Sequence, residues 1–108
     1  MLNHAKQRDK LTVALGGELD HCSAMNIRRE LDELISDPAV RHLMLDMTNL
    51  KFMDSSGIGV ILGRYRILAA RGGSVWVRNM NPQINRIFHL SGMGQIIHVA
   101  KQEQEAQR

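Results

Sequence analysis

Two adjacent serines follow an aspartate in the segment "MDSSGIG", which joins a strongly apolar run to a glycine-rich one. A serine at the start of a helix meets unpaired backbone N–H groups and the positive end of the helix dipole. The simplest interpretation is that Asp54, Ser55 or Ser56 caps a helix, which stabilises it by about 1 kcal/mol. One oxygen is enough for a cap, whereas this junction has a carboxylate and two hydroxyl groups. The second interpretation is that one of the serines is chemically modified.

Phosphorylation is the modification that this position accommodates best. A phosphoryl group adds a charge of about −2 and three acceptor oxygens, and free N–H groups at a helix start can bind those oxygens. The same charge would disrupt a partner packed against the helix start, so the junction is a candidate binary switch. The residues alone do not choose between Ser55 and Ser56, because the choice depends on which of them begins the helix.

Three glycines follow the serines within the predicted helix, at Gly57, Gly59 and Gly63. Each glycine inside a helix costs up to about 1 kcal/mol relative to alanine, so a close neighbour is expected to require their small size. We expect Gly63 to face the sheet of the domain itself. Gly57 and Gly59 lie beside the serines and are expected to face an outside molecule.

A catalytic role for the serines has little support in the surrounding sequence. A nucleophile elbow requires glycine two residues before the serine, and Ser55 has Met53 there. No feature of the sequence brings a histidine base near Ser55. The Walker A pattern is absent, and "GIGVILG" has one residue more than the dinucleotide fingerprint. We expect no enzymatic activity and no cofactor, and the scattered histidines and single Cys22 predict no metal site.

The composition predicts one domain over residues 1–108. With 44% hydrophobic and 23% charged residues, the chain of 108 residues can bury its own core. Its apolar runs are far shorter than the roughly 20 residues that cross a bilayer, and the N-terminal segment has no signal-peptide character. We therefore expect a cytoplasmic protein without membrane contact, in which Cys22 is buried or unreactive.

An uneven charge distribution accompanies the formal net charge of +3. Five arginines and no acidic residue occur in the segment 64–86, namely Arg64, Arg66, Arg71, Arg78 and Arg86. Such a segment could form a basic face for an acidic partner or for nucleic acid. A solvated helix and strand edge is the simpler interpretation, since 4% aromatic residues offer little surface for base stacking.

Strand and helix periodicities alternate along the chain. The alternation predicts an α/β domain with a largely parallel sheet and right-handed crossovers. Ser23 is a candidate N-cap, Asn81 and Pro82 open the last helix, and glycine pairs end the first strand and the second helix. The segments, in the order strand, helix, strand, helix, strand, helix, strand, are "KLTVALGG", "HCSAMNIRRELDELISD", "VRHLMLDMTNL", "GIGVILGRYRILAARGG", "SVWVRNM", "NPQINRIFHLSGM" and "QIIHVA", followed by a polar tail.

Two loops follow strands of this predicted sheet and contain the polar residues of interest. They are "GGELDHCS" and "LKFMDSSG". Ligand and partner sites in open parallel sheets gather at the carboxyl ends of the strands. We expect both loops to lie at that edge.

The segments "GELDHCSA", "RHLMLDMTNLKFMDSSGIGVILGRY" and "NPQINRIFHLSGM", in this order, resemble the sporulation-type anti-sigma factor antagonists of the STAS domain family. The resemblance covers the chain from about Leu11 to Val99. It implies a single STAS-like α/β domain with a mixed, largely parallel sheet of four to five strands, flanked by about four helices, and no catalytic activity.

The resemblance also implies partners. In that family the unphosphorylated antagonist binds an anti-sigma factor serine kinase with its bound nucleotide, and so releases a sporulation sigma factor for transcription. The kinase phosphorylates the serine that follows the motif aspartate, here Ser55, and a PP2C-type phosphatase restores binding. The resemblance thus resolves the choice between the serines in favour of Ser55.

Position by position, the resemblance makes Asp54, Ser56 and Gly57 the shape-giving residues of the phosphorylation loop and helix start. Asp20 resembles a position that faces the kinase, so the expected partner-binding residues are Asp20, Ser55, Gly57 and Gly59. Two other classes of function stay open, a STAS scaffold of a stress-signalling assembly and a basic nucleic-acid-binding domain.

Overall fold

The computed structural model describes residues 2–100, which form five strands and three α-helices. Strands and helices alternate from the second strand onward. The predicted α/β class with a mixed sheet is confirmed. About four helices were expected, and residues 2–100 form three α-helices and one short 3-10 turn at Met93–Gln95. The polar tail from residue 101 lies outside the described residues. The elements are β1 His4–Gln7, β2 Lys10–Leu19, α1 Ala24–Ile35, β3 His42–Met53, α2 Ser55–Ala69, β4 Ser74–Arg78, α3 Pro82–Leu90 and β5 His98–Val99.

The sheet has the strand order β1-β2-β3-β4-β5. β1 pairs antiparallel with β2, and the three following pairs are all parallel. Because parallel neighbours joined in sequence by right-handed crossovers place every helix on the same side, the helices cover one face of the sheet. That face supplies the core, whose strand residues include Val13, Leu45 and Val77, each 0% exposed. Among residues 2–100, no helix combines the length and the apolar character needed to span a membrane.

Two features of the N-terminal half differ from the sequence prediction. β1 was not predicted, because its four residues are all exposed and polar or small, so they carry no period of burial. The Gly16-Gly17 pair, predicted to end the first strand, lies inside β2. The register with β3 shifts on both sides of this pair, and Gly17 has φ +72°. The glycines therefore form an irregularity within the strand rather than its end.

The predicted helix ends agree more closely with the structure. Asn81 caps α3, since its Oδ1 accepts a hydrogen bond from the Ile84 N–H at 2.9 Å, and Pro82 is the first helical residue. The end of α2 is a Schellman-type turn in which the Gly73 N–H donates to the Leu68 carbonyl at 2.8 Å and Gly72 has φ +75°. β3 continues to Met53, so part of the predicted loop "LKFMDSSG" is strand.

Candidate functional site

The two polar loops meet at the carboxyl edge of the sheet, as predicted. β2 and β3 are parallel neighbours, and their last residues, Leu19 and Met53, pair in register. The Asp54 N–H donates to the Leu19 carbonyl at 3.3 Å. In return, the His21 N–H donates to Asp54 Oδ2 at 3.2 Å. These two hydrogen bonds fix the loop after β2 against the start of α2.

Asp54 is the residue that caps α2. It has extended backbone geometry, with φ −118° and ψ −169°, and its Oδ1 accepts a hydrogen bond from the Ser56 N–H at 2.8 Å. The Asp54 carbonyl accepts from the N–H groups of Gly57 at 3.0 Å and Ile58 at 3.2 Å. Of the three capping candidates in the sequence, the carboxylate therefore does the capping. Both serine hydroxyls are left out of it.

The two serines face different surroundings. Ser55 is the first residue of α2 and is exposed. No hydrogen bond holds its hydroxyl group within residues 2–100. Ser56 is half-buried and lines a cleft between α1 and α2. The Ser55 hydroxyl thus stands free at the positive end of a helix whose first turn contains no acidic residue.

Asp20 organises the other loop. Its Oδ1 accepts hydrogen bonds from the N–H groups of Cys22 and Ser23, both at 3.0 Å. The bond from the Ser23 N–H is the main cause that holds the pKa of the Asp20 carboxyl below its ordinary value, while burial opposes it. Asp20 is half-buried, and its Oδ1 holds the loop through these two hydrogen bonds. Its contact with a partner stays a prediction.

Two details of this loop differ from the sequence prediction. Ser23 occupies the N-cap position of α1, but its side chain makes no capping hydrogen bond. Its hydroxyl donates to the Glu18 carbonyl at 2.7 Å and accepts from the Asp20 N–H at 3.0 Å, because the loop turns back on itself here. Cys22 is exposed rather than buried, and its backbone N–H donates to Asp20 Oδ1.

Two of the three glycines of α2, Gly57 and Gly63, occupy environments opposite to those expected, whereas Gly59 is exposed as expected. A Cβ atom on Gly57 would lie 2.5 Å from Met53 Cγ and 2.8 Å from both Leu19 Cγ and the Leu19 carbonyl oxygen. Gly57 is buried, so the packing of the domain itself requires its small size. At Gly59 and Gly63 a Cβ atom would meet nothing within 4 Å. Gly63 therefore faces open space with Gly59, not the sheet.

The cleft between α1 and α2 has a volume of about 470 Å³ and opens beside the serines. Met25 on α1 lines this cleft and is 72% exposed, so it does not belong to the core. No pattern in the sequence predicted this cleft. Its main lining residues are Met25 and Arg28 on α1, with Ser56, Gly59, Gly63 and Arg64 on α2.

The arginines of the segment 64–86 do not all lie on one exposed face, because Arg64 is buried. Arg64 is buried, at 5% exposure, and its Nε lies 3.0 Å from Asp32 Oδ1. Arg78 pairs with Asp46 at 3.2 Å, and Arg71 donates to the Val40 carbonyl at 2.9 Å. The burial of Arg64 and the pairing of Arg78 with Asp46 reduce the support for a nucleic-acid-binding domain.

A signal for Arg64 was present in the sequence. Gly57, Ile61, Arg64 and Leu68 follow one another at spacings of four, three and four residues, and all four are buried in α2. The position of Arg64 on this face thus indicates burial. Within residues 2–100, no cluster of three or more His, Cys, Asp or Glu side chains is placed to hold a metal ion.

Replacing the cap residue should destabilise the domain. We expect Asp54→Ala to lower the free energy of unfolding by about 1–2 kcal/mol, because the N–H groups of Ser56 and His21 lose their acceptor. Urea denaturation followed by circular dichroism measures the loss. Ser55→Ala is the matched control and should change stability by less than about 0.5 kcal/mol. A loss in Ser55→Ala with none in Asp54→Ala would mean that the Ser55 hydroxyl, and not Asp54, is the cap.

Comparison with known proteins places this geometry in a family. The pattern of the STAS domain matches residues 2–106. The anti-sigma F factor antagonist of Paenibacillus polymyxa is 41% identical over 99 residues, which are 92% of this chain and 85% of that protein. The solved structure of the anti-sigma factor antagonist SpoIIAA in its unphosphorylated form has a TM-score of 0.80 at 34% identity, and the match covers 98% of this chain and 92% of the other. For the phosphorylated form of the Bacillus cell fate determinant SpoIIAA the TM-score is 0.72 at 33% identity, with 100% and 98% covered. The chain therefore belongs to the STAS domain family, within the group of the anti-sigma factor antagonists.

Proposed function

We propose that this chain is a cytoplasmic anti-anti-sigma factor controlled by phosphorylation of Ser55. Unphosphorylated, it binds an anti-sigma factor serine kinase with its bound nucleotide, and a sporulation sigma factor is thereby released. Phosphorylation of Ser55 by that kinase ends the binding, and a PP2C-type phosphatase restores it. The observation that carries the proposal is the exposed Ser55 hydroxyl at the first turn of α2, left free by the Asp54 cap.

The geometry of the helix start supports a phosphoryl group at Ser55. The hydroxyl is exposed, so a kinase can reach it without unfolding α2. The first turn of α2 contains no acidic residue, and its dipole favours a negative charge. The phosphorylated chain should therefore stay folded, as a reversible switch requires. That solved structures exist for both an unphosphorylated and a phosphorylated SpoIIAA agrees with this expectation.

The same geometry explains how a phosphate would end binding. The carboxylates of Asp20 and Asp54 already lie in the two loops at this edge. A phosphoryl group adds about −2 charge to them and brings a hydration shell that a close contact would have to remove. An interface that packs against the neutral Ser55 hydroxyl would then repel the phosphorylated chain. The effect needs no change in the fold.

The test is a phosphorylation assay on matched serine variants. The wild-type chain, Ser55→Ala and Ser56→Ala are incubated with a purified anti-sigma kinase, Mg²⁺ and ATP, and their intact masses are measured. We expect one phosphate on the wild-type chain and on Ser56→Ala, and none on Ser55→Ala. Phosphate on Ser55→Ala at the wild-type rate would show that Ser55 is not the acceptor.

A further inference from the structure

The cleft between α1 and α2 contains charged groups that the phosphorylation switch does not use. Ser56, Gly59 and Gly63 form one side of it along α2, and Met25 stands on the other side. Since a Cβ atom on either glycine would meet nothing within 4 Å, the helix backbone is open to contact there. The cleft begins at Ser56 and therefore adjoins the proposed phosphorylation site.

Arg64 lines this cleft and is only 5% exposed. Its Nε lies 3.0 Å from Asp32 Oδ1, but the angles do not make a hydrogen bond. Neither Nε nor Nη1 has a hydrogen-bond partner among the described residues. Buried N–H donors that make no hydrogen bond are costly, and the charge of the guanidinium group cannot be lost by deprotonation. Arg64 therefore brings to the cleft a positive charge and N–H donors that no described residue accepts from.

Positive charge is also in excess in the cleft. Arg28 lines it as well, and its Nε lies 3.8 Å from Asp32 Oδ2. Two guanidinium groups thus share the one carboxylate of Asp32. A group that enters the cleft is favoured if it is negatively charged and can accept several hydrogen bonds.

We propose that the cleft between α1 and α2 receives an acidic side chain, aspartate or glutamate, from the kinase, whose carboxylate pairs with Arg64 and Arg28. The inference rests on the proposed function and names a contact within it. Apolar atoms beside that carboxylate would pack on Met25 and on the glycine-lined backbone of α2, which suits a protein segment better than a free anion. Because the cleft adjoins Ser56, a phosphate on Ser55 would place its charge near the bound carboxylate. The repulsion would then add to the loss of affinity on phosphorylation.

The test compares two neighbouring arginines of α1. Arg28→Glu reverses a charge that lines the cleft, whereas Arg29→Glu reverses an exposed charge that does not line it. The affinity of each chain for the kinase is measured by calorimetry, and circular dichroism verifies the fold. We expect Arg28→Glu to weaken binding about tenfold or more and Arg29→Glu less than about threefold. Arg64→Met keeps the length of the side chain, removes the donors, and should weaken binding similarly.

Charge reversal on the kinase identifies the occupant. Single Asp→Lys and Glu→Lys variants across the kinase surface are measured against the Arg28→Glu chain. We expect one of them to restore affinity to Arg28→Glu while it weakens binding to the wild-type chain. Equal affinity of the kinase for the wild-type chain and for folded Arg28→Glu and Arg64→Met chains would overturn the inference and leave the proposed function intact. A wild-type chain that does not bind the kinase would overturn both.

Discussion

A Gly57→Ala chain should unfold at a markedly lower urea concentration than the wild-type chain, with a loss of about 2–3 kcal/mol. The added methyl group would lie 2.5 Å from Met53 Cγ and 2.8 Å from the carbonyl oxygen of Leu19. The side chains of Met53 and Leu19 are both 0% exposed, so neither has room to move aside. The Leu19 carbonyl is part of the backbone and accepts the hydrogen bond from Asp54. The clash would therefore also disturb the loop that presents Ser55.

Gly59→Ala is the control for this prediction. It adds the same methyl group to the same helix, at a position where no atom lies within 4 Å of the new carbon. Its stability should be unchanged or should rise by up to about 1 kcal/mol, because alanine favours the helix. Urea titrations followed by the fluorescence of Trp76, the one tryptophan of the chain, measure both variants. Equal midpoints for the two variants would contradict the packing role of Gly57.

A Ser55→Asp chain should bind the anti-sigma kinase at least about tenfold more weakly than the wild-type chain. The substitution places a fixed negative charge on the exposed first residue of α2. The fold should tolerate that charge, since a carboxylate is favourable in the first turn of a helix. The affinity loss therefore reports on the interface rather than on unfolding. Calorimetry of the variant against the nucleotide-bound kinase measures it.

Ala39→Asp controls for the added charge. Ala39 is exposed and lies between α1 and β3, at the edge of the sheet opposite to Ser55. The same charge at this position should change the affinity by less than about threefold, because exposed charges more than about 10 Å apart are screened by salt. Equal weakening by both variants would indicate a general charge effect. Unchanged affinity of Ser55→Asp would contradict an electrostatic block at Ser55.

The order of the elements could be predicted because each element has a local signal. The apolar periods of two and of about four residues separated strands from helices, and Asn81-Pro82 and Gly72-Gly73 marked helix ends by capping chemistry. β1 lacked such a signal. Its residues pair with β2 at the edge of the sheet through backbone groups, and this pairing leaves no pattern in the side chains.

Gly57 and Gly63 of α2 were assigned to the wrong sides, although the helical period contains the answer. At about 100° per residue, Gly57 shares a face with Ile61 and Leu68, which are buried. Gly59 and Gly63 are four residues apart and lie on another face. Proximity to the serines along the chain suggested a shared role for Gly57 and Gly59. Position around the helix, and not distance along it, determines which residues can touch a partner.

The cleft depends on contacts that sequence reasoning could not supply. Arg64 and Arg28 meet the same carboxylate, that of Asp32, because α1 and α2 pack side by side. The sequence contains no signal for the pairing of residues in different helices. The hydrogen bond from the His21 N–H to Asp54 also joins two loops, and its donor is a backbone N–H that any residue except proline would provide at that position.

The most direct test of the switch is the affinity of the kinase for one preparation of the wild-type chain before and after phosphorylation. The chain is phosphorylated to completion, fragmentation mass spectrometry locates the phosphate, and calorimetry gives both dissociation constants. The account predicts a single phosphate on Ser55 and an affinity at least about tenfold lower in the phosphorylated chain. A chain fully phosphorylated on Ser55 that binds the kinase as tightly as before would contradict it.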